Sequence, residues 1–219
     1  MPQLFPRSAN AFARGSLVVG ATVAAVAGGA LWIVAHSGFV TRQGEVLPQP
    51  VPFSHDHHVG EVGIDCRYCH TSVESSATAG IPPTQTCMNC HNQLWTNAAI
   101  LEPVRASYKT KEPLRWNKVN DLPDFVQFNH SIHVAKGVAC VTCHGQVDKM
   151  PLMYQAKSLQ MEWCLSCHRD PVKNIRPREE VTNVSWLPPA DADALERLQH
   201  ELAGLYHVQS KTSCSTCHR

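Results

Sequence analysis

Ten cysteines fall into five pairs of identical spacing: two residues separate the cysteines of each pair, and a histidine follows the second cysteine. The cysteines are Cys66, Cys69, Cys87, Cys90, Cys140, Cys143, Cys164, Cys167, Cys214 and Cys217, and the histidines are His70, His91, His144, His168 and His218. Cysteines spaced in this way lie one helical turn apart, so both thiols can form thioethers to one porphyrin while the adjoining imidazole binds its iron. The pattern predicts five covalently bound haem c groups.

Three other chemistries use closely spaced cysteines: disulfide frameworks, zinc ribbons and dithiol redox sites of the thioredoxin kind. None of these requires a histidine after every pair. The haem motif accounts for all ten cysteines and for the five histidines that follow them. Haem attachment is therefore the preferred interpretation.

A second pattern, Phe-x-His-x-x-His, occurs twice, each time shortly before a pair of haem motifs. It contains His55 and His58 in the first copy, and His130 and His133 in the second. An iron that already has one histidine needs a sixth ligand to be a low-spin electron carrier. Histidines three residues apart share a helical face, so one segment can bind two neighbouring haems. We predict that these four histidines are distal ligands.

The fifth haem needs another distal ligand or has an open position. Met150, Met153 and Met161 lie between the third and fourth motifs, and a thioether ligand would raise one haem's potential above that of bis-histidine haems. Such methionines are more commonly core residues. His207, seven residues before Cys214, is a further candidate. We expect four bis-histidine haems and one histidine/methionine haem, with Met150 or Met161 as the donor.

The remaining polar candidates are interpreted as bystanders. His36 lies at the predicted membrane edge, and His57 lies between two predicted ligands. His200 belongs to a predicted helix but points away from its apolar stripe. That stripe is formed by Leu195, Leu198, Leu202 and Leu205. Asp56 and Glu74 could donate protons near the haem motifs, but a solvated acidic surface is the preferred interpretation.

An N-terminal element would place these motifs outside the cytoplasm, where haem c attachment is completed and free thiols would otherwise oxidise. Arg7 and Arg14 precede an uncharged apolar run at 16–35, which is long enough to span a bilayer. The apolar region of a cleaved signal peptide is usually shorter, about 7 to 15 residues. An uncleaved anchor in the bacterial inner membrane, with the haem motifs on the periplasmic side, is therefore favoured.

The predicted fold class is a multihaem c-type cytochrome with mostly short α-helices and loops packed on five haems, little β structure, and one N-terminal transmembrane helix. The predicted organisation is a cytoplasmic N-terminus (1–15), the transmembrane anchor (16–35), a first haem unit (36–91), a connector (92–124) and a second haem unit (125–219). A formal net charge of +1 provides no basic surface for nucleic acid. The net charge therefore predicts no nucleic-acid partner.

Four stretches resemble a known family: GIDCRYCHTSVE, AGIPPTQTCMNCH, LRWNKVNDLPDFVQFNHSIH and MEWCLSCHR. They resemble the pentahaem cytochrome c subunit of bacterial alternative complex III, over most of the chain from Pro52 to Arg219. They include segments that haem attachment alone does not require. The departure from the family pattern is His207, which bears on the ligand of the fifth haem.

The resemblance implies an electron-transfer subunit of a membrane quinol-oxidising assembly. The implied partners are an iron-sulfur subunit resembling molybdopterin oxidoreductases, polytopic quinol-binding membrane subunits, and a monohaem cytochrome c or a terminal oxidase. Electrons would pass from quinol through iron-sulfur clusters to the haems of this chain.

Two other functions are open. A stand-alone, membrane-anchored quinol dehydrogenase would need a quinol site made by this chain, and a multihaem reductase would need one haem with an open position. The sequence has no second transmembrane segment and no acid/base constellation typical of an active site. We therefore predict no catalytic residues and an electron-transfer role.

Overall fold

The computed structural model describes residues 5–218, which form helices joined by turns and loops. Residues 1–4, part of the predicted cytoplasmic N-terminus, and residue 219, the end of the predicted second haem unit, lie outside the described residues. The chain divides into two compact units, residues 1–42 and 43–219.

The first unit consists of one long helix and one short helix, α1 (Ala9–Ala35) and α2 (Gly38–Thr41). Helix α1 starts before the predicted apolar run at 16–35, because the alanine-rich segment at 9–13 also favours helix. Its apolar side chains are exposed along its length. By length and composition α1 could cross a membrane, and a signal sequence near an N-terminus meets the same criteria.

The second unit is built from short helices. Its α-helices are α3 (Cys66–Cys69), α4 (Thr84–His91), α5 (Glu102–Thr110), α6 (His130–Ala135), α7 (Cys140–His144), α8 (Met161–Arg169), α9 (Ala192–Leu205) and α10 (Cys214–Cys217). A π-helix spans Asp56–Glu61, and 3-10 helices span Ala99–Leu101, Val147–Lys149, Pro171–Asn174 and Arg178–Glu180. In residues 5–218 the only β pairings are isolated bridges. The predicted fold class of short helices and loops with little β structure is confirmed.

The apolar core of the second unit is small. One cluster joins Val51 to Leu101 and Val104 of the predicted connector. A second cluster joins Ile175, Leu202 and Tyr206, so that the leucine face of α9 packs on the segment after the fourth motif. Protein interiors normally contain few voids larger than a water molecule. A core made of small, separate clusters therefore leaves room for large prosthetic groups to contribute the rest of the packing.

Candidate functional site

The five cysteine pairs all lie on helical turns. Helices α3, α4, α7, α8 and α10 each carry one pair, and each pair is followed by its histidine at or just beyond the helix end. Helix α3 begins at Cys66 because the Asp65 side chain caps it, accepting a hydrogen bond of 2.8 Å from the Arg67 backbone N–H. None of the ten cysteines forms a disulfide. Each pair thus presents two thiols and one imidazole from a single turn.

Three of the four predicted distal histidines lie opposite the histidine of one motif. The ring centroids of His58 and His91 are 6.2 Å apart. Those of His130 and His144 are 6.3 Å apart, and those of His133 and His168 are 6.1 Å apart. His55 is three residues before His58 in the same segment.

These separations fit an iron held between two imidazoles. Two histidines that bind one metal ion from opposite sides, each through a bond of about 2.0–2.1 Å, place their ring centroids roughly 6 Å apart. The angle between the ring planes is 5° in one pair and 63–67° in the other two. Both arrangements are compatible with one iron between the rings, because each imidazole can rotate about its bond to the metal. Within residues 5–218 no cluster of three or more metal-binding side chains occurs. The candidate metal ligands are arranged as facing pairs of histidines.

Backbone carbonyls hold most of these imidazoles in one tautomer. The Nδ1–H groups of His58 and His133 donate to the carbonyls of Ser54 and Asn129, four residues earlier, at 2.8 and 2.7 Å. The other histidines held in this way are His70, His91, His130, His168 and His218, whose acceptors are the carbonyls of Gly80, Leu94, Ala77, Lys211 and Phe125. A donated Nδ1–H leaves Nε2 as the free donor for a metal.

Burial favours the neutral form of several of these histidines. Together with smaller effects of His70 and His58, it lowers the pKa of His55 to about 4. It also lowers the pKa of His144 to about 4, and lowers the pKa values of His58 and His133. Neutral imidazole is the form that binds iron. The Nδ1 atom of His55 is buried without a hydrogen-bond partner among the described residues.

A phenylalanine packs on the predicted distal histidines in the same way in both copies of the repeated pattern. Phe53 stacks on His58 with ring centroids 4.3 Å apart, and Phe128 stacks on His133 at 4.5 Å. Each phenylalanine also makes an edge contact, Phe53 with His55 at 4.9 Å and Phe128 with His130 at 4.8 Å. These rings have no role in the sequence-based prediction, although the repeated Phe-x-His-x-x-His spacing contained the signal.

The fifth motif has a different environment. His218 lies 5.8 Å from the Phe125 ring and donates to the Phe125 carbonyl. Met150 is fully buried, and its methyl carbon lies 3.3 Å from the position of a Cβ built on Gly145. Met161 is exposed, one turn before Cys164 on α8. Met153 is half-buried. These methionines therefore occupy three different environments.

His207 is exposed and follows α9 with a positive φ of 51°. Its backbone carbonyl accepts a hydrogen bond from Lys136 at 3.2 Å. The histidine's backbone thus contributes to the packing of α9, whatever its ring does.

The predicted bystanders lie at the surface. His57 donates to Glu61 at 2.6 Å and stacks on Trp95 at 5.9 Å. His200 is exposed and lies 3.8 Å from the Glu196 carboxylate, as expected for a solvated residue. The exposed Glu74 carboxylate lies 3.4 Å from Arg67, which agrees with a surface role. Asp56 is half-buried, and its backbone N–H donates to the Met150 carbonyl.

Comparison with known proteins matches this chain to a protein family and to a relative. The family described as "Cytochrome c7 and related cytochrome c" matches residues 126–219. The relative is "Menaquinone reductase, multiheme cytochrome c subunit" from Nitratidesulfovibrio vulgaris (strain Hildenborough). It is 30% identical over 141 residues, which cover 55% of this chain and 67% of the relative. Both matches are to cytochromes c, the class of protein to which paired thiols followed by histidine are suited.

Proposed function

This chain belongs to the multihaem cytochrome c family, and we propose that it is the electron-transfer subunit of a respiratory membrane complex that oxidises quinol. Its haem c groups transfer electrons. In the proposal five haems are bound, one at each Cys-x-x-Cys-His motif. The proposal rests on the resemblance to the pentahaem subunit of alternative complex III and on the geometry of the histidines.

The observation that carries the proposal is the set of facing histidines. In the three facing pairs the ring centroids are 6.1–6.3 Å apart. Because His58 faces the second motif, His55, three residues earlier, is the proposed ligand opposite His70 of the first motif. Each bound haem supplies one-electron redox chemistry at its iron. Imidazoles on both sides of an iron leave no position for a substrate, so such sites conduct electrons rather than transform molecules.

For the fifth haem we propose a methionine ligand, and Met161 is better placed than Met150. Met150 is enclosed by protein beside the third motif. Met161 is exposed and one turn from Cys164, whose neighbours include Cys217 of the fifth motif. An exposed thioether on α8 can therefore turn towards the fifth site without unpacking a core.

The first test counts haems and open irons in the intact, detergent-solubilised protein. Mass spectrometry should give the mass of the chain plus five haems, and low-temperature EPR should give low-spin signals alone. Fewer haems would contradict the five-site assignment. A high-spin signal would instead show an open iron and favour a multihaem reductase.

The proposed partners are an iron-sulfur subunit resembling molybdopterin oxidoreductases, polytopic quinol-binding membrane subunits, and a monohaem cytochrome c or terminal oxidase. The relative from Nitratidesulfovibrio vulgaris is a subunit of a menaquinone reductase. A related subunit can work in either direction, because the haem potentials and the partners decide the direction of electron flow. Reduction of the haems by a quinol analogue in the assembled complex would support quinol oxidation.

A stand-alone quinol dehydrogenase is the alternative that needs its own test. The isolated subunit should not oxidise a quinol analogue if it acts within a larger complex. Turnover by the isolated subunit would favour the dehydrogenase. In either role α1 is proposed to anchor the chain in the inner membrane, with the haem motifs on the periplasmic side.

A further inference from the structure

The two ligand segments each join two haem sites. The π-helix Asp56–Glu61, with His55 as its N-terminal cap, holds His58 opposite the second motif's His91, and His55 is the proposed ligand of site 1. Helix α6 holds His130 opposite the third motif's His144 and His133 opposite the fourth motif's His168. Ligands three residues apart cannot serve distant irons. Sites 1 and 2 are therefore neighbours, and so are sites 3 and 4.

The first and third motifs meet at one short backbone segment. The Cys66 thiol lies 3.9 Å from the Thr182 carbonyl, and the Cys140 backbone N–H donates to the Val181 carbonyl at 3.1 Å. The two motifs therefore begin at adjacent residues of one segment, Val181 and Thr182. Because Cys66 and Cys140 would attach to different porphyrins, sites 1 and 3 approach each other at this segment.

A second set of contacts supports the same junction. The backbone N–H of His130 donates to the Ala77 carbonyl at 3.1 Å, and the His130 ring donates to that carbonyl at 2.8 Å. Ala77 lies in the loop after the first motif. The distal ligand of site 3 is thus held by the polypeptide around site 1.

The fourth and fifth motifs are joined in turn. The His168 ring donates to the Lys211 carbonyl at 2.9 Å, and the Ser210 hydroxyl donates to the His168 carbonyl at 2.8 Å. Ser210 and Lys211 lie four and three residues before Cys214 of the fifth motif. On its other side, the Cys217 carbonyl accepts a hydrogen bond from Gln127 at 2.7 Å.

The second motif packs against the connector. Cys87 and Met88 contact the cluster of Val51, Leu101 and Val104. The Asn89 side chain donates to the Tyr68 hydroxyl of the first motif at 3.1 Å. The second motif thus contacts the first motif on one side and the connector on the other.

We infer that the haem sites lie in the spatial order 2–1–3–4–5, so that the two repeats are joined through their first motifs and sites 2 and 5 form the ends of the row. The inference rests on the proposed five-haem function. It means that an electron crossing the whole chain does not follow the order of the motifs in the sequence. Partners that deliver and accept electrons would dock at the second and fifth motifs.

Iron positions in the intact, haem-loaded protein test the order directly. Cryo-electron microscopy of the detergent-solubilised chain, alone or in its complex, should place the iron of motif 1 next to that of motif 3, and the iron of motif 2 at one end. An iron of motif 2 between those of motifs 1 and 3 would overturn the inference. A mass giving fewer than five haems would contradict the proposed function, while the order of the remaining irons could still be read.

A matched pair of substitutions tests the order in solution. His55→Met and His58→Met should each raise the potential of one further haem, so that one more haem is reduced and loses its magnetism than in the unaltered protein at the same applied potential. In the EPR spectrum, selective reduction at site 1 should sharpen the signals of two neighbours, and reduction at site 2 should sharpen one. The reverse counts would overturn the inference. If either variant fails to mature, the iron positions of the unaltered protein decide the question.

Discussion

At the scale of single residues, a phenylalanine ring lies against a distal histidine in each repeat. Phe53 stacks on His58 and Phe128 on His133, at 4.3 and 4.5 Å. Each histidine is also held by a backbone carbonyl four residues earlier. Ring stacking and hydrogen bonding together determine the direction of Nε2, which gives these phenylalanines a positioning role.

Phe53→Leu should change the orientation of the His58 ring without removing the ligand. We expect the g-values of one low-spin EPR signal to shift and the stability to fall by about 1 kcal/mol, the usual value of an aromatic pair. Phe128→Leu is the matched variant and should move a different signal. Unchanged spectra in both variants would show that the phenylalanines only fill space.

Met161→Leu should remove the proposed thioether ligand of the fifth haem. The near-infrared charge-transfer band typical of histidine/methionine ligation should disappear from the oxidised protein, and one potential should fall by on the order of 100 mV, a fraction of the roughly 0.8 V range that axial ligands span. Met150→Leu is the control, because it replaces a buried methionine beside the third motif. Loss of the band in Met150→Leu alone would transfer the assignment to Met150.

At the scale of elements, the turn before α7 brings α6, α9 and the segment after the fourth motif together. Gly137 has a φ of +78°, and a Cβ at this position would collide with the Arg176 carbonyl and lie 3.1 Å from the Tyr206 ring. The Gly137 carbonyl accepts a hydrogen bond from Arg176 at 2.9 Å. Glycine is required here both for its backbone conformation and for close packing.

Gly137→Ala should destabilise the protein by more than the strain of a left-handed residue, which is roughly 1–2 kcal/mol. Gly63→Ala provides the matched control, because Gly63 has a φ of +77° but nothing within 4 Å of the added Cβ. Chemical denaturation measures the free energy of unfolding of both variants, and the difference between them is the cost of the packing collision. Equal losses of stability would show that the residues around Gly137 move to accommodate the added methyl group.

A polar contact connects the helix of the first motif to the segment that touches the third motif. The Asp65 carboxylate accepts hydrogen bonds from Arg67 at 2.8 Å and from the Thr182 hydroxyl at 3.0 Å. The Arg67 side chain, with smaller contributions from its backbone N–H and Thr182, holds the pKa of Asp65 at about 2, below the usual 3.8. The carboxylate therefore stabilises the fold at all pH values above about 4, and the effect is lost as the pH falls towards 2.

Asp65→Asn should lower the free energy of unfolding at pH 7 by about 1 kcal/mol, a value reduced by solvent screening of a carboxylate that is 44% exposed. Denaturation at pH 7, 5 and 3 should show the same difference at the two higher values and a smaller one at pH 3. Glu74→Gln, at a more exposed carboxylate 3.4 Å from Arg67, should have little effect. A difference that grows as the pH falls would contradict the assigned direction.

At the scale of the whole molecule, the chain divides into the unit with α1 and the unit with every haem motif. The exposed surface of α1 is apolar, and the core of the second unit consists of small separate clusters. The first feature fits a membrane anchor or a signal sequence, and the second leaves room for prosthetic groups to complete the packing.

A chain that starts at Gln43, exported by a cleavable leader, should still bind haem and should be recovered in the soluble periplasmic fraction. The full-length chain should remain with the membrane. Cell fractionation and haem staining measure both outcomes. Membrane association of the shortened chain after a high-salt wash would show that the second unit has a membrane contact of its own.

The sequence by itself determined the attachment chemistry and the fold class. Cys-x-x-Cys-His needs one helical turn, so the positions of α3, α4, α7, α8 and α10 follow from local geometry. The same is true of α1, whose long apolar run favours helix wherever it lies. These are short-range properties, and a reader of the sequence can identify them without knowing the fold.

Only the tertiary structure decided which residues face each other. His133 and His168 are 35 positions apart, yet their ring centroids are 6.1 Å apart. The contact of Cys66 and Cys140 with the segment at 181–182 is equally invisible in the motifs. Such contacts depend on how loops close and pack over long distances along the chain, and no local spacing rule encodes that. The pairing of histidines and the spatial order of the sites therefore belong to the folded chain.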